Sequence, residues 1–249
     1  MDFNVYKDIE KRTKGEIYIG VVGPVRTGKS TFIKNFMDVA VVPKILDENE
    51  LKRAQDELPQ SSSGKTIMTT EPKFIPSKAI SIDIGNTAKV KVRLIDCVGF
   101  MVDGAIGHEE NGEPRMVQTP WQDEPVPFEK AAEIGTDKVI SEHSTIGVVV
   151  TTDGSITDIP RENYEQAEQL TVEKLKALNK PFVIVLNTKT PQDENTLALR
   201  ASLEEKYGVS VVCLDVLTCN EDGFAAVFEK VLSEFPVRSA DIKLPDWLC

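Results

Sequence analysis

The sequence predicts an α/β fold of three layers, in which helices cover both faces of a mostly parallel sheet. Apolar runs rich in β-branched residues alternate along the chain with segments of helical periodicity. The predicted strands are residues 17–22, 90–96, 146–151, 182–186 and 209–214. The predicted helices are residues 29–38, 128–143, 161–178, 196–206 and 222–235. Alternation of this kind implies crossover connections, which join parallel strands.

Most of the predicted strands are continuously apolar, which is typical of strands covered on both faces. Residues 72–84 are expected to add one antiparallel strand at the edge of the sheet. Two connections, residues 46–70 and 100–127, are long for a compact α/β domain, and we expect them to be functional or mobile.

The chain has 249 residues, of which 41% are hydrophobic, and this is enough for one domain with a sizeable core. We expect the domain to span residues 1–237. Residues 238–249 read as a tail that leads to further regions, because they follow Pro236 and contain Pro245.

The overall charge excludes some classes of function. A net charge of -11 repels a phosphate backbone, so no nucleic-acid partner is expected. The 4 cysteines form no C-x-x-C pair, and the 2 histidines, His108 and His143, are too far apart in sequence to indicate a metal site. No run approaches the roughly 18 apolar residues of a membrane helix, so a cytoplasmic location is expected.

A phosphate-binding loop (P-loop) follows the first strand, where GPVRTGKS matches the pattern G-x-x-x-x-G-K-[ST]. Its glycines let backbone N–H groups surround phosphates, its lysine neutralises the β- and γ-phosphates, and its serine hydroxyl holds magnesium. The helix that follows adds the positive end of its dipole. The residues expected to contact nucleotide phosphates are Gly23, Val25, Arg26, Thr27, Gly28, Lys29, Ser30 and Thr31.

A second motif, D-x-x-G, ends the strand at residues 90–96. Asp96 is expected to reach the magnesium shell beside Ser30, and the Gly99 N–H to contact the γ-phosphate. An aspartate that closes a strand is also common as a solvated terminus. The segment GKTIMTTEP before it offers Thr69 and Thr70 as the threonine that binds magnesium and senses the γ-phosphate, with Thr66 as the third candidate and a simple threonine-rich turn as the alternative.

Two residues depart from the usual GTPase pattern. Phe100 follows D-x-x-G where Ras-like enzymes place a glutamine that orients the attacking water, so another group must position the water. Arg26 lies within the P-loop, where related families have small residues or an asparagine. Its guanidinium either acts on the phosphates as a built-in charge, as an arginine finger or a potassium ion would, or points to solvent.

The base-recognition motif of GTPases, N-K-x-D, is altered. The chain reads Asn187-Thr188-Lys189-Thr190, and a threonine hydroxyl cannot supply the charged bidentate acceptor that guanine requires. The Ser-Ala-Lys motif expected after the last strand is absent from CLDVLTCN. ATP is therefore the expected nucleotide, with Asn187 packing against the P-loop.

Long stretches of the chain resemble the N-terminal nucleotide domain of the stage IV sporulation protein A family of spore-forming Firmicutes. The stretches that carry this resemblance are GEIYIGVVGPVRTGKSTFIK, AQDELPQSSSGKTIMTTEPKF, RLIDCVGF, TPWQDEPVPFEKAAEIGTDKVI and EHSTIGVVVTTDGSI. The resemblance implies a P-loop fold of the translation-factor GTPase class that hydrolyses ATP. It also implies Lys29 as the P-loop lysine, Asp96 as the metal-side aspartate, and Thr69 and Thr70 as sensors of the γ-phosphate.

The resemblance further implies that hydrolysis drives self-assembly into a static polymer, the basement layer of the spore coat. This layer lies in the mother-cell cytoplasm, peripherally on the outer forespore membrane. The implied partners are further copies of the chain, the small amphipathic stage V sporulation protein M and other coat morphogenetic proteins, so that membrane association is indirect. Family members are much longer, so the chain is expected to be an ATPase domain whose polymerisation without the downstream regions is open.

The hypothesis from the sequence is an ATPase with Mg²⁺, in which nucleotide reorganises segments 64–71 and 100–127 to license assembly. Two alternatives remain at this point. One is a regulatory GTPase with relaxed base recognition, and the other is a nucleotide-bound structural module with little turnover.

Overall fold

A computed structural model describes residues 16–45, 47–59, 71–84, 88–110 and 112–234 of the chain. The predicted tail at residues 238–249 lies outside these ranges. The main sheet has 6 strands in the order β10-β9-β8-β1-β3-β2. Its strands are β1 (Glu16–Val22), β2 (Lys73–Ile84), β3 (Ala88–Asp96), β8 (Ile146–Thr152), β9 (Phe182–Asn187) and β10 (Val211–Leu214).

The pairing of the strands confirms the predicted sheet. β1 lies between β3 and β8 and is parallel to both, and β9 pairs in parallel with β8 and with β10. β2 runs antiparallel to β3 at the edge. The carboxyl ends of β1, β3, β8, β9 and β10 therefore meet along one edge of the sheet, which is where open α/β folds bind ligands.

Helices cover both faces, as predicted. They are α1 (Lys29–Phe36), α2 (Glu48–Asp56), α3 (Phe128–Lys138), α4 (Glu165–Ala177), α5 (Glu194–Tyr207) and α6 (Glu221–Ser233). On one face, the phenylalanines of α1 and α6 pack together, and the rings of Phe36 and Phe228 lie 4.8 Å apart. On the other face, Tyr164, Leu175 and Leu203 pack against the sheet. Burial of both faces explains the continuous apolar strings.

Several predicted boundaries change. The first and second predicted helices end in single π-helical turns, Met37–Val41 and Val139–His143. The predicted link at residues 46–70 contains α2. This helix is polar and charged, and the sequence analysis did not predict it. The connection at residues 100–127 is not wholly irregular, since it contains two short hairpins.

These hairpins are formed by β4 (Glu109–Glu110) with β5 (Glu113–Pro114), and by β6 (Met116–Thr119) with β7 (Gln122–Pro127). α3 begins directly after β7, so the second hairpin and this helix are continuous in the chain. Within the described ranges, the structure contains no helix of the length and apolarity needed to cross a membrane.

Candidate functional site

The P-loop connects the carboxyl end of β1 to the first turn of α1. Its backbone has positive φ at Gly23 (131°), Arg26 (60°) and Gly28 (93°). A Cβ atom on Gly23 would collide with the carbonyl of Val150, so glycine is required by space as well as by conformation. Positive φ values of this kind let a loop curve so that successive backbone N–H groups can surround an anion at the start of a helix.

Lys29 is nearly fully buried at the start of α1, with a relative exposure of 4%. Its Nζ atom donates a hydrogen bond to the carbonyl oxygen of Pro24, across the P-loop. Burial lowers the pKa of Lys29, and the nearby Cys97 and Asp96 oppose this shift. A desolvated cation held in this way is suited to bind an anion that enters the loop.

Asp96 and Ser30 meet at the ends of β3 and the P-loop. The Ser30 hydroxyl donates to Asp96 Oδ2 at 2.7 Å, while Asp96 Oδ1 is buried and has no hydrogen-bond partner in the described part of the chain. Burial raises the pKa of Asp96, and the hydrogen bond from Ser30 and the charge of Lys29 oppose the shift.

These two residues fit a magnesium ion. A buried, unpaired carboxylate oxygen next to a hydroxyl offers the hard oxygen ligands that Mg²⁺ prefers. Ser30 and Asp96 are therefore the residues that would hold it. Thr66, Thr69 and Thr70 lie outside the described residues, so the third metal-side group remains a prediction.

Phe100 is fixed against the P-loop. Its N–H donates to the Gly23 carbonyl at 3.2 Å, and its carbonyl accepts the N–H of Val25 at 2.8 Å. The ring is buried in the core, with a relative exposure of 4%. Phe100 thus neither points to the phosphate site nor offers a polar group to water, which agrees with the prediction that another group positions the nucleophile.

Gly99 lies between Phe100 and the metal-side residues. Its φ is 98°, and a Cβ atom there would lie 2.6 Å from Lys29 Nζ. This contact places Gly99 beside the P-loop lysine, as the D-x-x-G motif predicts. Its N–H, however, donates to the Thr136 hydroxyl at 3.1 Å, a partner in α3 that the sequence did not indicate.

Arg26 is half-buried in a backbone conformation that non-glycine residues rarely adopt. Its positive charge acts on the Tyr164 hydroxyl. Burial raises the pKa of Tyr164, while the hydrogen bond with Thr157 and the charge of Arg26 lower it. A strained non-glycine residue in a P-loop is the kind of outlier that accompanies function.

Asn187 joins the P-loop to the loop after β10. Its Nδ2 donates to the Thr27 carbonyl at 2.9 Å, and its Oδ1 accepts the N–H of Val216 at 3.1 Å. The sequence predicted the first of these contacts but not the second. Asn187 therefore fixes the distance between the phosphate end of the site and the loops expected to border the base.

The altered base motif separates into buried and exposed positions. Thr188 is fully buried and donates its hydroxyl hydrogen to Asp153. Lys189 and Thr190 are exposed at the surface. Burial raises the pKa of Asp153, but the hydrogen bonds from Ser155 and Thr188 outweigh it and leave the pKa lowered. The Thr190 side chain can consequently be exchanged without disturbing a buried contact.

Asn35 is a positioning residue that sequence analysis missed. Its Nδ2 in α1 donates to the carbonyl oxygens of Val216 at 2.9 Å and Cys219 at 3.0 Å. It thereby ties the helix of the P-loop to the loop after β10. An asparagine in an amphipathic helix gives no local signal of this contact, because its partner is 181 residues away.

Glu168 lies in an acidic stretch, residues 162–173, for which the charge pattern alone predicts a solvated helix face. Its side chain is fully buried. It accepts hydrogen bonds from Tyr207 and Arg161, each at 2.9 Å, and from Thr151 at the end of β8. The cluster connects β8, α4 and α5 behind the loop at residues 153–160, whose Ile156 reaches toward Gly28.

The chain matches a known protein family over most of its length. The family described as Stage IV sporulation protein A, ATPase domain, matches residues 1–236. A curated stage IV sporulation protein A from Clostridioides difficile (strain 630) is 55% identical over 248 residues, which are 100% of this chain and 50% of that protein. The proteins of the same name from Bacillus anthracis and Bacillus subtilis (strain 168) are each 53% identical over 245 residues, or 98% of this chain and 50% of each relative.

Solved structures show the fold. A variant of Era from Aquifex aeolicus bound to GDP.AlF4- is similar with a TM-score of 0.50 and 15% identity, covering 90% of this chain and 58% of that one. Era in complex with MgGDPNP and a segment of 16S ribosomal RNA gives a TM-score of 0.51 and 16% identity, covering 93% of this chain and 60% of that one. Such identities establish a shared P-loop fold and no more.

The chain spans about half the length of the curated relatives it matches. The family match extends over nearly all of the chain and includes the P-loop, the D-x-x-G motif and the altered base motif. The chain therefore belongs to the ATPase-domain family of stage IV sporulation protein A.

Proposed function

We propose that this sporulation ATPase domain binds ATP with Mg²⁺ and uses hydrolysis to drive self-assembly into the basement layer of the spore coat. The observation that carries the catalytic part is the unpaired, buried oxygen of Asp96 beside Ser30 and Lys29. An unpaired buried carboxylate oxygen is costly for a protein, and a site that binds a metal ion offsets that cost.

The reaction is in-line attack of water on the γ-phosphate. Lys29 neutralises charge on the transferred group, and the backbone N–H groups of the P-loop bind the remaining phosphate oxygens. Ser30 and Asp96 would hold Mg²⁺, which would further neutralise the charge of the phosphate oxygens. Because Phe100 is buried and bridged to the P-loop, positioning and charge rather than a general base account for the rate.

Assembly, partners and location are further parts of the proposal. The expected partners are further copies of the chain, stage V sporulation protein M and other coat morphogenetic proteins, on the mother-cell side of the outer forespore membrane. The net charge of -11 supports an indirect attachment, because an acidic domain is repelled by anionic lipids and needs an adaptor. The same charge disfavours nucleic acid as a partner.

The direct test is hydrolysis of ATP and of GTP by the same preparation, followed by sedimentation with and without nucleotide. The proposal predicts faster hydrolysis of ATP and nucleotide-dependent sedimentation of the full-length protein. A preference for GTP would support a regulatory GTPase. No turnover with either nucleotide would support a structural module.

Arg26 offers a second test within the P-loop. Replacing it with glycine relieves the positive-φ strain and removes the guanidinium, whereas Arg26→Ala removes the charge and keeps the strain. If the charge assists the phosphates, both variants should lose turnover by about tenfold or more, and potassium ions should restore part of it. Steady-state ATP hydrolysis in sodium and in potassium buffers measures this. Unchanged turnover without a potassium response would eliminate the role of Arg26.

A substitution at Thr190 tests which nucleotide base the site recognises. Thr190→Asp introduces the charged acceptor for guanine at an exposed position, and should raise GTP use relative to ATP by about tenfold, the value of one charge-assisted pair. The adjacent Thr188 is left unchanged because it is buried against Asp153. Thr190→Asn is the matched control, since it has the size of aspartate without its charge. The measurement is the ratio of kcat/KM for GTP to kcat/KM for ATP. An unchanged ratio in Thr190→Asp would show that residue 190 does not border the nucleotide base.

A further inference from the structure

The hydroxyl of Thr136 holds the N–H that the D-x-x-G motif would give to a phosphate. Gly99 N donates to Thr136 Oγ1 at 3.1 Å, and the same hydroxyl donates its own hydrogen to the Ala132 carbonyl at 2.8 Å. Thr136 is fully buried in α3. Its hydrogen is directed to the helix and its oxygen is an acceptor for Gly99, while the Cys97 thiol lies close to both the Thr136 hydroxyl and the Gly99 N–H.

Gly99 lies at the end of the site where the terminal phosphate is expected. A Cβ atom on Gly99 would lie 2.6 Å from Lys29 Nζ, the amine that neutralises the β- and γ-phosphates. One N–H group makes one strong hydrogen bond, so it cannot serve Thr136 and a phosphate oxygen equally well. The two acceptors compete.

The surrounding backbone allows a single peptide to turn. Phe100 is bridged to Gly23 and Val25 on one side, and Asp96 is bonded to Ser30 on the other. Between them, Gly99 has a φ of 98°, in the region that only glycine enters without strain. The Gly99 N–H can thus change partner while the ends of the motif remain in place.

We propose that Thr136 is a positioning residue that holds the Gly99 N–H when no γ-phosphate is present and gives it up when ATP is bound. This inference rests on the proposed function, because it requires ATP in the P-loop. With ADP, the D-x-x-G motif stays bonded to α3; with ATP, this bond is released. Because α3 follows the β6–β7 hairpin directly in the chain, this exchange of hydrogen-bond partners links the bound nucleotide to α3 and to the hairpin before it.

The test is Thr136→Val, which keeps the shape of the side chain and removes the acceptor. With ADP, valine leaves the Gly99 N–H with only the weak sulfur acceptor of Cys97, whereas with a non-hydrolysable ATP analogue a phosphate oxygen accepts its hydrogen bond. The ratio of analogue affinity to ADP affinity, measured by calorimetry, should therefore rise by about tenfold. Thr136→Ser, which keeps the hydroxyl, should return the ratio to that of the unaltered chain.

Thr171→Val is the matched control. Thr171 is also fully buried in a helix and donates to the carbonyl four residues before it, Ala167, at 2.7 Å. Its replacement removes the same type of bond outside the D-x-x-G motif, and the affinity ratio should stay unchanged. Equal weakening of both nucleotides by Thr136→Val would mean a purely structural role and overturn the proposal.

A measurement on the unaltered chain covers the case in which Thr136→Val does not fold. The amide proton of Gly99 should resonate at different NMR frequencies with ADP and with the ATP analogue, because its acceptor changes. Identical frequencies would show that the Gly99 N–H keeps the same acceptor and would overturn the proposal. Failure of the unaltered chain to bind either nucleotide would instead overturn the proposed function on which the inference rests.

Discussion

Replacing Lys29 with alanine should lower the rate of ATP hydrolysis by about 10²–10³-fold, the usual cost of removing one preorganised group that stabilises the transition state. Lys29 Nζ is buried and bonded to the Pro24 carbonyl, so it is held in place before the nucleotide arrives. The domain should remain folded, because the variant also removes the cost of burying a charge. Phosphate release under saturating ATP measures the effect, and circular dichroism checks the fold.

Lys34→Ala is the control for this variant. Lys34 lies on the same helix, is partly exposed and has an ion pair of 3.6 Å with Asp38, a contact that contributes about 0–1 kcal/mol at a surface. Its removal changes the charge of the chain as Lys29→Ala does, but away from the P-loop. If the two variants hydrolyse ATP equally well, Lys29 does not serve the reaction and the proposed site is wrong.

The fold was largely predictable because its main signals are local. Continuous apolar strands, helical periodicity and their alternation each depend on residues close together in sequence, and all three indicate a parallel sheet covered on both faces. The signals failed where local composition was ambiguous. α2 is strongly polar, with Leu51 and Ala54 as its only apolar residues, and the β4–β5 and β6–β7 hairpins are too short for alternation to stand out.

The candidate site was predictable to the extent that motifs define it. The P-loop and D-x-x-G motifs located Lys29, Ser30 and Asp96, and the structure brings these three together. The partners that position them were not predictable. Asn35 contacts a loop that is distant in sequence, and Thr136 reaches Gly99 from a helix that carries no recognisable motif.

Glu168 shows why charge patterns alone mislead. The nearby acidic residues Glu162, Glu165 and Glu173 indicate a solvated face when charge alone is considered. Burial of this one carboxylate is possible because its partners come from other elements: Arg161 precedes α4, Thr151 ends β8, and Tyr207 ends α5. A buried charge of this kind requires partners that only the assembled fold supplies.

Replacing Glu168 with alanine should therefore destabilise the domain by about 3–5 kcal/mol, the cost of breaking a buried ion pair by removing one partner. The variant leaves the Arg161 guanidinium without the carboxylate that lies 2.7 Å from its NH1, and it leaves the Tyr207 hydroxyl without its acceptor. For a domain of this size the melting temperature should fall by about 10 °C. Thermal unfolding followed by circular dichroism measures this directly.

Two further variants separate charge from packing at Glu168. Glu168→Gln keeps the shape and one acceptor oxygen, so it should lose less stability than Glu168→Ala. Glu173→Ala, in the same helix, removes an exposed carboxylate that accepts from Gln169 at 2.8 Å, and its melting temperature should barely change. A fall in Glu168→Ala no larger than that in Glu173→Ala would show that the buried cluster contributes little. Glu168 would then contribute no more to stability than a solvated glutamate, although its side chain is buried.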